Sequence, residues 1–375
     1  MLRRYLPILT WLPHYNRRLG GADVLAGLIV TVMVIPQSLA YAVLAGLPAV
    51  VGLYASLLPA IAYALLGTSR TLAVGPVAII ALMTGAALSG VAAPGTPEYL
   101  QAALILSLLS GLMLLLMGLL RMGFVANFLS HPVIAGFLTA SGILIAASQV
   151  GYLVGVRLDA RDLLPRLMQL VRRLPEVHLQ TLAIGIGTLL FLLLLRQYGK
   201  PALRRIGLSR TLADLITRAG PVLAVVATTL ITWHFELAET GVAVIGDIPQ
   251  GLPPFTLPGF DTDLWQALLV PALLISVVGF VESVSMGQML AARRRERISP
   301  NQELVGLGGA NIVAAFSAGM PISGGLTRTV INYDAGAQTP LAGLFAALGI
   351  GAVTLFLTPA LHHLPIATLA ATITV

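Results

Sequence analysis

The sequence predicts an all-α protein that crosses a membrane many times and contains two interrupted helices. Hydrophobic residues make up 57% of the 375 residues and charged residues only 10%, whereas soluble domains average about 25% charged residues. Apolar runs of about 20 residues, the length that spans a bilayer, recur along the whole chain. Two of these runs are broken by Gly and Pro, one at Gly75-Pro76 and the other at Pro321 and Gly324-Gly325. A water-soluble fold of this size could not cover so much apolar surface.

The apolar runs define eleven spans and the beginning of a twelfth. The predicted spans are 22–44, 49–68, a broken span at 71–90, 98–120, 123–154 with an interruption at His131-Pro132, 178–198, 219–236, 264–290, 301–318, a broken span at 319–336, 340–359, and a run that starts near Leu364. The chain ends at Val375, inside the last run. We therefore expect it to cover part of a longer protein.

Basic residues cluster in short connections, and their distribution predicts the orientation. Because cytoplasmic loops carry the excess of Lys and Arg, the N-terminus and the connections after spans 4, 6 and 8 are expected in the cytoplasm. The residues concerned are Arg3, Arg4, Arg17, Arg18, Arg121, Arg196, Lys200, Arg204, Arg205, Arg210, Arg293, Arg294, Arg295 and Arg297. The acidic loop 236–263 falls outside. Loop 156–176 should also be outside, although it is rich in arginine. Residues 1–21 are amphipathic and basic, which indicates an interfacial segment rather than a signal peptide.

The composition also excludes several classes of function. The net charge of +7 comes from these loops and does not indicate nucleic-acid binding. The chain has no cysteine, which excludes disulfides and thiolate metal sites. No metal-ligand motif and no nucleophile–base pair occurs at a useful spacing, so no enzyme activity, metal or cofactor is expected. His131 is interpreted as marking a helix break, the His362-His363 pair as lying near a membrane edge, and Asp334 as a cap or ion-pair partner.

The two broken spans form part of a weak internal repeat. Residues 71–78, with the sequence TLAVGPVA, and residues 320–325, with the sequence MPISGG, both read as a strand-like piece, a break and then a helix. Residues 35–40 resemble residues 280–285, which aligns Gln37 with Glu282. Interrupted helices at matching places in two halves are typical of the binding site of a secondary transporter.

The second break predicts an anion site. A helix that starts near Ser323–Gly325 presents unpaired N–H groups and the positive end of its dipole, and Arg328 lies one turn inside it. The opposing half-helix would offer N–H groups from Gly75–Ala78. An intramembrane Arg usually faces a polar cavity or a partner. Arg328 could therefore bind the anion or brace the gap between the half-helices, and the hydroxyls at Ser323 and Thr327 could bind the anion or cap the helix.

A longer stretch of the chain is similar to the SulP family, also called solute carrier family 26, which includes sulphate permeases, bicarbonate transporters, pendrin and prestin. The resemblance is carried by residues 36–48 (PQSLAYAVLAGLP), 52–56 (GLYAS), 67–70 (GTSR) and 74–76 (VGP), in the order and spacing of the family. Weaker support comes from residues 127–137, 246–253 and 323–328. The resemblance covers nearly the whole chain.

The resemblance implies the seven-plus-seven inverted-repeat transporter fold, shared in outline with uracil permease, in which short strands precede the half-helices of spans 3 and 10. It implies a core domain formed by residues 22–120 and 264–360, and a gate domain formed by residues 121–240 and the start of span 12 at 361–375. Residues 1–21 form the N-terminal segment and 241–263 an extracytoplasmic loop. By this resemblance we expect the later gate spans and the STAS domain of the family to be missing from this chain. Family members form dimers, often through those missing parts.

The resemblance also assigns roles to individual residues. Gln37 and Tyr41, which share a helix face, match positions that line the anion pocket in the family; without the resemblance Tyr41 would be read as a packing residue. The expected substrate-binding residues are Gln37, Tyr41, Gly75, Pro76, Val77, Ala78, Ser323, Gly324, Gly325, Leu326, Thr327 and Arg328. Glu282 matches a glutamate linked to proton symport, which agrees with the frequent role of intramembrane acids in proton relays. A permanent Glu282–Arg328 pair is the alternative. A sodium site is disfavoured because Met286, one turn on, offers no oxygen ligand.

The sequence therefore favours a proton-coupled secondary transporter of a small anion in the sulphate, bicarbonate or dicarboxylate class, working by an elevator-like motion of core against gate in a bacterial cytoplasmic membrane. The alternatives are an anion channel, an uncoupled chloride/bicarbonate exchanger, and a sodium-coupled bicarbonate symporter. The expected partners are the anion, a proton, membrane lipid and a second copy of the chain. The substrate itself is not readable from the sequence.

Overall fold

The computed structural model describes residues 6–127, 131–156, 158 and 163–375. Helices dominate this part of the chain, and one two-stranded sheet accompanies them. The elements in chain order are α1 (Ile8–Trp11), α2 (Arg17–Leu44), α3 (Ala49–Tyr54), α4 (Leu58–Leu66), β1 (Val74–Gly75), α5 (Ala78–Leu88), α6 (Pro97–Leu119), α7 (His131–Val154), α8 (Leu163–Arg172), α9 (Leu179–Arg205), α10 (Arg210–Arg218), α11 (Gly220–His234), α12 (Thr262–Arg293), α13 (Pro300–Phe316), β2 (Ser323–Gly324), α14 (Leu326–Asp334), α15 (Leu341–Phe356) and α16 (Ile366–Thr374). Short 3₁₀ helices lie at Leu12–His14, Met122–Asn127, Leu174–Glu176 and Thr358–Leu361.

Five helical segments in the described part are each long and apolar enough to cross a bilayer. They are Arg17–Leu44, Ala49–Leu66, Pro97–Leu119, Leu179–Arg205 and Thr262–Arg293. The two half-helices that the broken spans predict are shorter: the apolar helix α5 has eleven residues and the more polar helix α14 has nine. A helix of that length reaches only about halfway through the hydrocarbon core, at 1.5 Å per residue.

Several predicted boundaries are wrong in detail. Predicted span 2 consists of two helices, α3 and α4, because the chain turns at residues 55–57 ahead of Pro59. The predicted interruption at His131-Pro132 adjoins residues 128–130, which lie outside the described residues, so it stays a prediction.

Two segments that were predicted as loops contain helices. Residues 163–172 form α8 and residues 210–218 form α10, and α9 extends to Arg205 beyond its predicted end at 198. Both short helices alternate charged and apolar residues with helical spacing, a pattern that favours a surface helix with one apolar face. The average hydrophobicity of such helices is low, so they contain no long apolar run that would indicate them in the sequence.

The chain divides into two compact units, one formed by residues 1–138 and 251–355 and the other by residues 139–250 and 356–375. We call them unit 1 and unit 2. Every residue predicted to bind the anion, and Glu282, belongs to unit 1. The assignment of core and gate roles to parts of the chain stays a prediction.

Unit 1 is held together by closely packed helices. The most extensive contact is between α6 and α13, where Gly111 and Gly308 let the two backbones approach. A Cβ atom at Gly308 would lie 2.7 Å from the Leu115 nitrogen and 2.9 Å from the Gly111 oxygen. Nearby, the hydroxyls of Ser110 and Ser276 are 2.9 Å apart and link α6 to α12. Small residues at such crossings are typical of membrane helices, which associate by packing and hydrogen bonds rather than by water exclusion.

Unit 2 is organised around α9, which packs against α10, α11 and α16. The Thr368 hydroxyl donates to the Thr228 hydroxyl at 2.9 Å, which joins α16 to α11. An isolated bridge between Val244 and Pro365 ties the long loop to the segment before α16. His362 Nδ1 lies 2.8 Å from an Asp247 oxygen beside this bridge.

Two fully buried carboxylates fix the connections of unit 1. Glu303, on the first turn of α13, accepts hydrogen bonds from the Tyr63 hydroxyl at 2.5 Å, from the Thr68 amide at 2.8 Å and from the Ser69 amide at 3.0 Å. Asp23, on α2, accepts from the Gln338 and Thr339 amides at 2.7 and 3.0 Å. Both side chains are 0% exposed. Glu303 therefore holds the loop that enters β1, and Asp23 holds the loop that leaves α14.

Substituting Gly308→Val is expected to destabilise unit 1 by about 1–3 kcal/mol, the usual cost of overpacking a tight contact. The measurement is the free energy of unfolding of the detergent-solubilised protein in denaturant. Gly343→Val is the matched control, because a Cβ there meets no atom within 4 Å. It should change the free energy of unfolding by less than about 0.5 kcal/mol. Equal effects of the two substitutions would contradict the packing assigned to the α6–α13 crossing.

Substituting Glu303→Ala is expected to cost at least about 3 kcal/mol, because it leaves the Tyr63 hydroxyl and the Thr68 and Ser69 amides buried without their acceptor. Glu98→Ala removes an exposed acid from the first turn of α6 and should cost less than about 1 kcal/mol. Both free energies of unfolding are measured in the same detergent. A Glu303→Ala protein as stable as the Glu98→Ala protein would show that the loop does not depend on this carboxylate.

Candidate anion-binding site

The two broken spans meet in an antiparallel strand pair. Val74 pairs with Gly324 and Gly75 pairs with Ser323. A Cβ at Gly75 would collide with the Arg328 guanidinium, so only glycine leaves room for that side chain. An interrupted span loses helical backbone hydrogen bonds inside the membrane. The strand pair compensates for this loss, because each strand satisfies backbone N–H and C=O groups of the other. The pairing also brings the two halves of the internal repeat together.

Each strand leads into a half-helix whose N-terminus lacks a side-chain cap. Helix α5 begins at Ala78 with Val77 as its N-cap, and α14 begins at Leu326 with Gly325 as its N-cap. No side chain of the described residues caps either end. The first-turn N–H groups of residues 78–80 and 326–328 therefore lack intrahelical acceptors, and each N-terminus carries about half a positive charge.

The two N-termini are neighbours. A Cβ placed on Gly325 would lie 3.0 Å from Val77 Cγ1, so the two N-cap residues are in contact. The two strands are antiparallel, so the half-helices that follow them leave the strand pair in opposite directions. Two positive helix ends therefore adjoin one location. Such ends favour a negative charge between them.

The predicted helix start is wrong for two of the expected donors. Ser323 and Gly324 lie in β2, and their donors are already used: the Gly324 amide donates to Ser283 Oγ at 2.8 Å and the Ser323 hydroxyl to the Gly279 carbonyl at 2.7 Å. The Gly325 amide donates to the Ala73 carbonyl at 3.2 Å. On the other half-helix, Gly75 lies in β1 and Pro76 has no N–H. Neither Gly75 nor Pro76 therefore belongs to the first turn of α5.

Arg328 is the third residue of α14 and is 3% exposed. Its Nη2 donates to the Pro76 carbonyl, just before the other half-helix. The bracing contact considered in the sequence analysis is therefore present. A guanidinium has five N–H donors, so this contact leaves others for a ligand. Arg328 consequently adds a buried positive charge to the two helix ends.

Buried serines support the strands from behind. Ser283 on α12 lies 2.8 Å from Ser323, hydroxyl to hydroxyl, while Ser38 on α2 lies 2.7 Å from Ser56. A Cβ at Gly75 would lie 3.3 Å from Ser56 Oγ. Ser38 and Ser283 each follow the aligned pair Gln37 and Glu282 by one residue. The internal repeat therefore includes a serine brace in each half.

Further polar side chains hold the strands, and the sequence analysis missed them. Asn311 is 0% exposed; its amide group donates to the Ile322 carbonyl at 3.0 Å and its oxygen accepts from the Ile322 amide at 2.9 Å. Asn332 donates to the Thr71 carbonyl at 2.9 Å, and the Ala73 amide donates to Thr329 Oγ1 at 3.2 Å. A buried amide must have partners. An asparagine inside the small-residue helix α13 was the signal that could have revealed this role.

Glu282 lies on α12 close to this arrangement. Its Oε2 is buried and has no hydrogen-bond partner in the described part of the chain. The pair with Arg328, considered as an alternative, is not formed here: no salt bridge within 4.0 Å joins these two described residues. Glu282 therefore differs from Glu303, whose oxygens accept several hydrogen bonds.

Gln37 and Tyr41 lie one turn apart on α2 and both are half-buried. Behind Arg328, a cavity of about 20 Å³ touches Ser56, Tyr63 and Asn332. It holds about one water molecule and is too small for a polyatomic anion. At the start of α14, Leu326 is 40% exposed and Thr327 is exposed. The accessible part of this helix end is thus at Leu326 and Thr327.

Comparisons with known proteins agree with this architecture. The chain is 35% identical over 367 residues to the probable sulfate transporter 4.2 of Arabidopsis thaliana. This alignment covers 97% of this chain and 53% of that protein. It is also 35% identical over 358 residues to the probable sulfate transporter MT1781 of Mycobacterium tuberculosis. This second alignment covers 96% of this chain and 61% of that protein. The chain thus spans less than two thirds of the length of these curated relatives.

A solved structure described as the overall structure of SLC26A9 superposes with a TM-score of 0.91 at 26% identity, over 100% of this chain and 60% of that chain. This likeness confirms the predicted inverted-repeat fold of a multi-pass membrane protein. Residues 21–375 match the model of the Sulfate permease family. The match covers most of the chain, and the paired strands, the two half-helices and Arg328 lie within it; the chain belongs to the Sulfate permease family.

Proposed function

We propose that this chain forms the anion-translocating part of a secondary active transporter for a small anion, and that transport is coupled to protons. The observation that carries the proposal is the contact between two uncapped half-helix N-termini with the buried Arg328 beside them. Helix ends of this kind bind anions through backbone N–H groups and the helix dipole. Half-helices whose N-termini point at an anionic group are a recurrent feature of secondary transporters.

The proposed anion binds to the first-turn amides of α5 and α14 on the side of Leu326 and Thr327, where the Thr327 hydroxyl is within reach of a ligand. Arg328 supplies the positive charge that compensates the anion. Gln37 and Tyr41 complete the polar lining in this proposal. The alternative role of Arg328, as a brace alone, predicts that its charge is unimportant for binding.

Glu282 is the proposed coupling residue. The burial of its Oε2 without a partner makes the charged carboxylate costly, whereas a carboxylate in a complete hydrogen-bond network is stable. A negative Glu282 would repel an anion at the helix ends, and a protonated Glu282 would not. The carboxylate therefore takes up a proton as the anion binds and releases it as the anion leaves.

The substrate class follows from charge and from the relatives. Two helix ends and a guanidinium suit sulphate, bicarbonate, a dicarboxylate or chloride. The relatives described above carry the name of sulfate transporters, which favours sulphate as the first anion to test. All the proposed binding residues belong to unit 1, so in an elevator-like mechanism unit 1 carries the anion. The basic connections favour an N-terminus in the cytoplasm and, for a bacterial protein, the inner membrane.

An anion channel, an anion exchanger and a sodium symporter are the competing functions. A measurement of radiolabelled sulphate uptake into liposomes that contain the full-length protein distinguishes these functions from proton symport. A proton symporter responds to an inward proton gradient. An exchanger requires a counter-anion inside, a sodium symporter requires sodium outside, and a channel gives single-channel currents.

Replacing Arg328 tests its charge. Arg328→Gln can still donate to the Pro76 carbonyl but has no charge, and it should lower the apparent affinity for sulphate by about 100-fold, as expected for a lost charged contact in a buried site. Arg328→Lys keeps the charge and should lose less. Initial uptake rates across a range of sulphate concentrations measure both, with Arg293→Gln as the exposed control. If the Gln variant transports better than the Lys variant, Arg328 is a brace and not part of the anion site.

Replacing Glu282 tests the coupling. Glu282→Gln imitates the protonated state, so it should abolish the stimulation of uptake by an inward proton gradient while sulphate-for-sulphate exchange continues. Glu239→Gln, an exposed acid of unit 2, is the control and should retain proton-driven uptake. The experiment compares uptake with and without the gradient for each protein in liposomes. Undiminished proton stimulation in Glu282→Gln would rule out this residue as the coupling site.

A further inference from the structure

A cavity whose wall contains several arginines lies in unit 1, and its lining does not include the N-termini of α5 and α14. It has a volume of about 380 Å³. Its walls are formed by residues 68–71, which precede β1, by the N-terminal segment that contains Pro7 and Trp11, and by six residues at and just beyond the end of α12. These six are Leu290, Ala291, Arg294, Glu296, Arg297 and Ile298. The volume falls within the range of small-ligand sites, about 300–1,000 Å³.

The cavity wall carries a surplus of positive charge. Arg70, Arg294 and Arg297 line it together with a single acid, Glu296. The formal charge of these four side chains is therefore +2. A planar guanidinium matches the oxygens of phosphate in a bidentate manner, which makes arginine the preferred residue for this recognition.

The three arginines are held to different degrees. Arg294 is fixed, because its Nη1 donates to the Ala337 carbonyl at 2.6 Å and its guanidinium lies 4.6 Å from the centre of the Tyr333 ring. Arg70 pairs with Glu296 at 3.2 Å, with 48% of its side chain exposed. Arg297 is exposed and forms no ion pair with any of the described residues. Exposed pairs contribute little to stability, so Arg70 can exchange its partner at small cost.

We propose that this cavity is a second anion site, which binds a phosphate group through Arg70 and Arg297 against the wall formed by Arg294. The phosphate belongs either to the headgroup of an anionic phospholipid or to free phosphate, since both present the same oxygens and up to two negative charges. On binding, Arg70 leaves Glu296 and turns to the ligand. Glu296 weakens binding because it competes for Arg70 and repels the anion.

The site is placed to influence the two half-helices. Thr71 lines the cavity, and its carbonyl accepts a hydrogen bond from Asn332 of α14 at 2.9 Å. Arg294 contacts the carbonyl of Ala337, three residues beyond α14. The wall of the cavity therefore includes the segment just before β1 and is hydrogen-bonded, through Arg294, to the segment just after α14. A bound phosphate ties these segments together and steadies both half-helices.

The experiment measures the thermal unfolding midpoint of the purified full-length protein in detergent as inorganic phosphate is added, with chloride at the same ionic strength as reference. The concentration dependence of the shift gives an apparent Kd. The cavity variant is Arg70→Gln with Arg297→Gln. The matched control is Arg293→Gln with Arg295→Gln, which removes the same charge from exposed arginines outside the cavity wall.

We expect the cavity variant to raise the apparent Kd by about tenfold or more, because it removes two charged hydrogen-bond donors. The control should stay within about twofold of the unsubstituted protein. Glu296→Gln should lower the apparent Kd. A cavity that is merely structural would instead give a less stable Glu296→Gln protein with unchanged phosphate affinity.

Arg328→Gln separates this site from the proposed transport site, so that either proposal can fail alone. A phosphate shift that persists in Arg328→Gln and disappears in the cavity variant supports the second site. A shift that survives in the cavity variant, or that disappears in Arg328→Gln alone, overturns it.

The same proteins are then reconstituted in vesicles of phosphatidylcholine with or without phosphatidylglycerol. Stabilisation by phosphatidylglycerol that the cavity variant lacks, without a response to inorganic phosphate, identifies the ligand as a lipid headgroup. If neither phosphate nor phosphatidylglycerol distinguishes the cavity variant from its control, the proposal is wrong.

Discussion

The pairing of β1 with β2 is the contact on which the rest of unit 1 depends. Backbone N–H and C=O groups inside a membrane must find partners, and a chain that leaves the helical conformation loses its own. Val74 and Gly75 find partners in Gly324 and Ser323, from the other half of the repeat. Neither broken span can satisfy its backbone without the other. The association of the two halves is therefore built into the interruptions themselves.

The same interruptions produce the candidate site. Breaking two helices creates two N-termini in the interior, each with N–H groups that no side chain of the described residues caps. By contrast, the two longest helices of unit 1 are capped: Asn16 accepts from two amides of α2, and Asp261 from two amides of α12. Arg328 adds its charge where the caps are missing. These two helix ends therefore have N–H donors without acceptors and an excess of positive charge, and a bound anion would satisfy both.

Three acids of unit 1 show how hydrogen bonding separates structural from candidate functional groups. Asp23 and Glu303 are completely buried and accept bonds from amides and hydroxyls of neighbouring loops. Charged groups in that situation are stabilised by their donors. Glu282 has a buried oxygen without a donor in the described structure and no ion pair with Arg328. Its charge is the least compensated of the three, which is the property that a proton-coupling group requires.

Hydrophobic runs and Gly or Pro breaks act locally, so the sequence was sufficient to predict the membrane class, most of the long helices, the two broken spans and the position of Arg328 in the first turn of the second half-helix. It failed where the outcome depends on distant partners. The first residue of α14 is set by the ladder with β1, which draws Ser323 and Gly324 into a strand, and helices α8 and α10 have no long apolar run to reveal them. Asn311, Glu303 and Asp23 acquire their roles only from loops far away in the chain. Only the tertiary structure decides which buried polar groups are satisfied, because a hydrogen bond depends on where both partners lie in space.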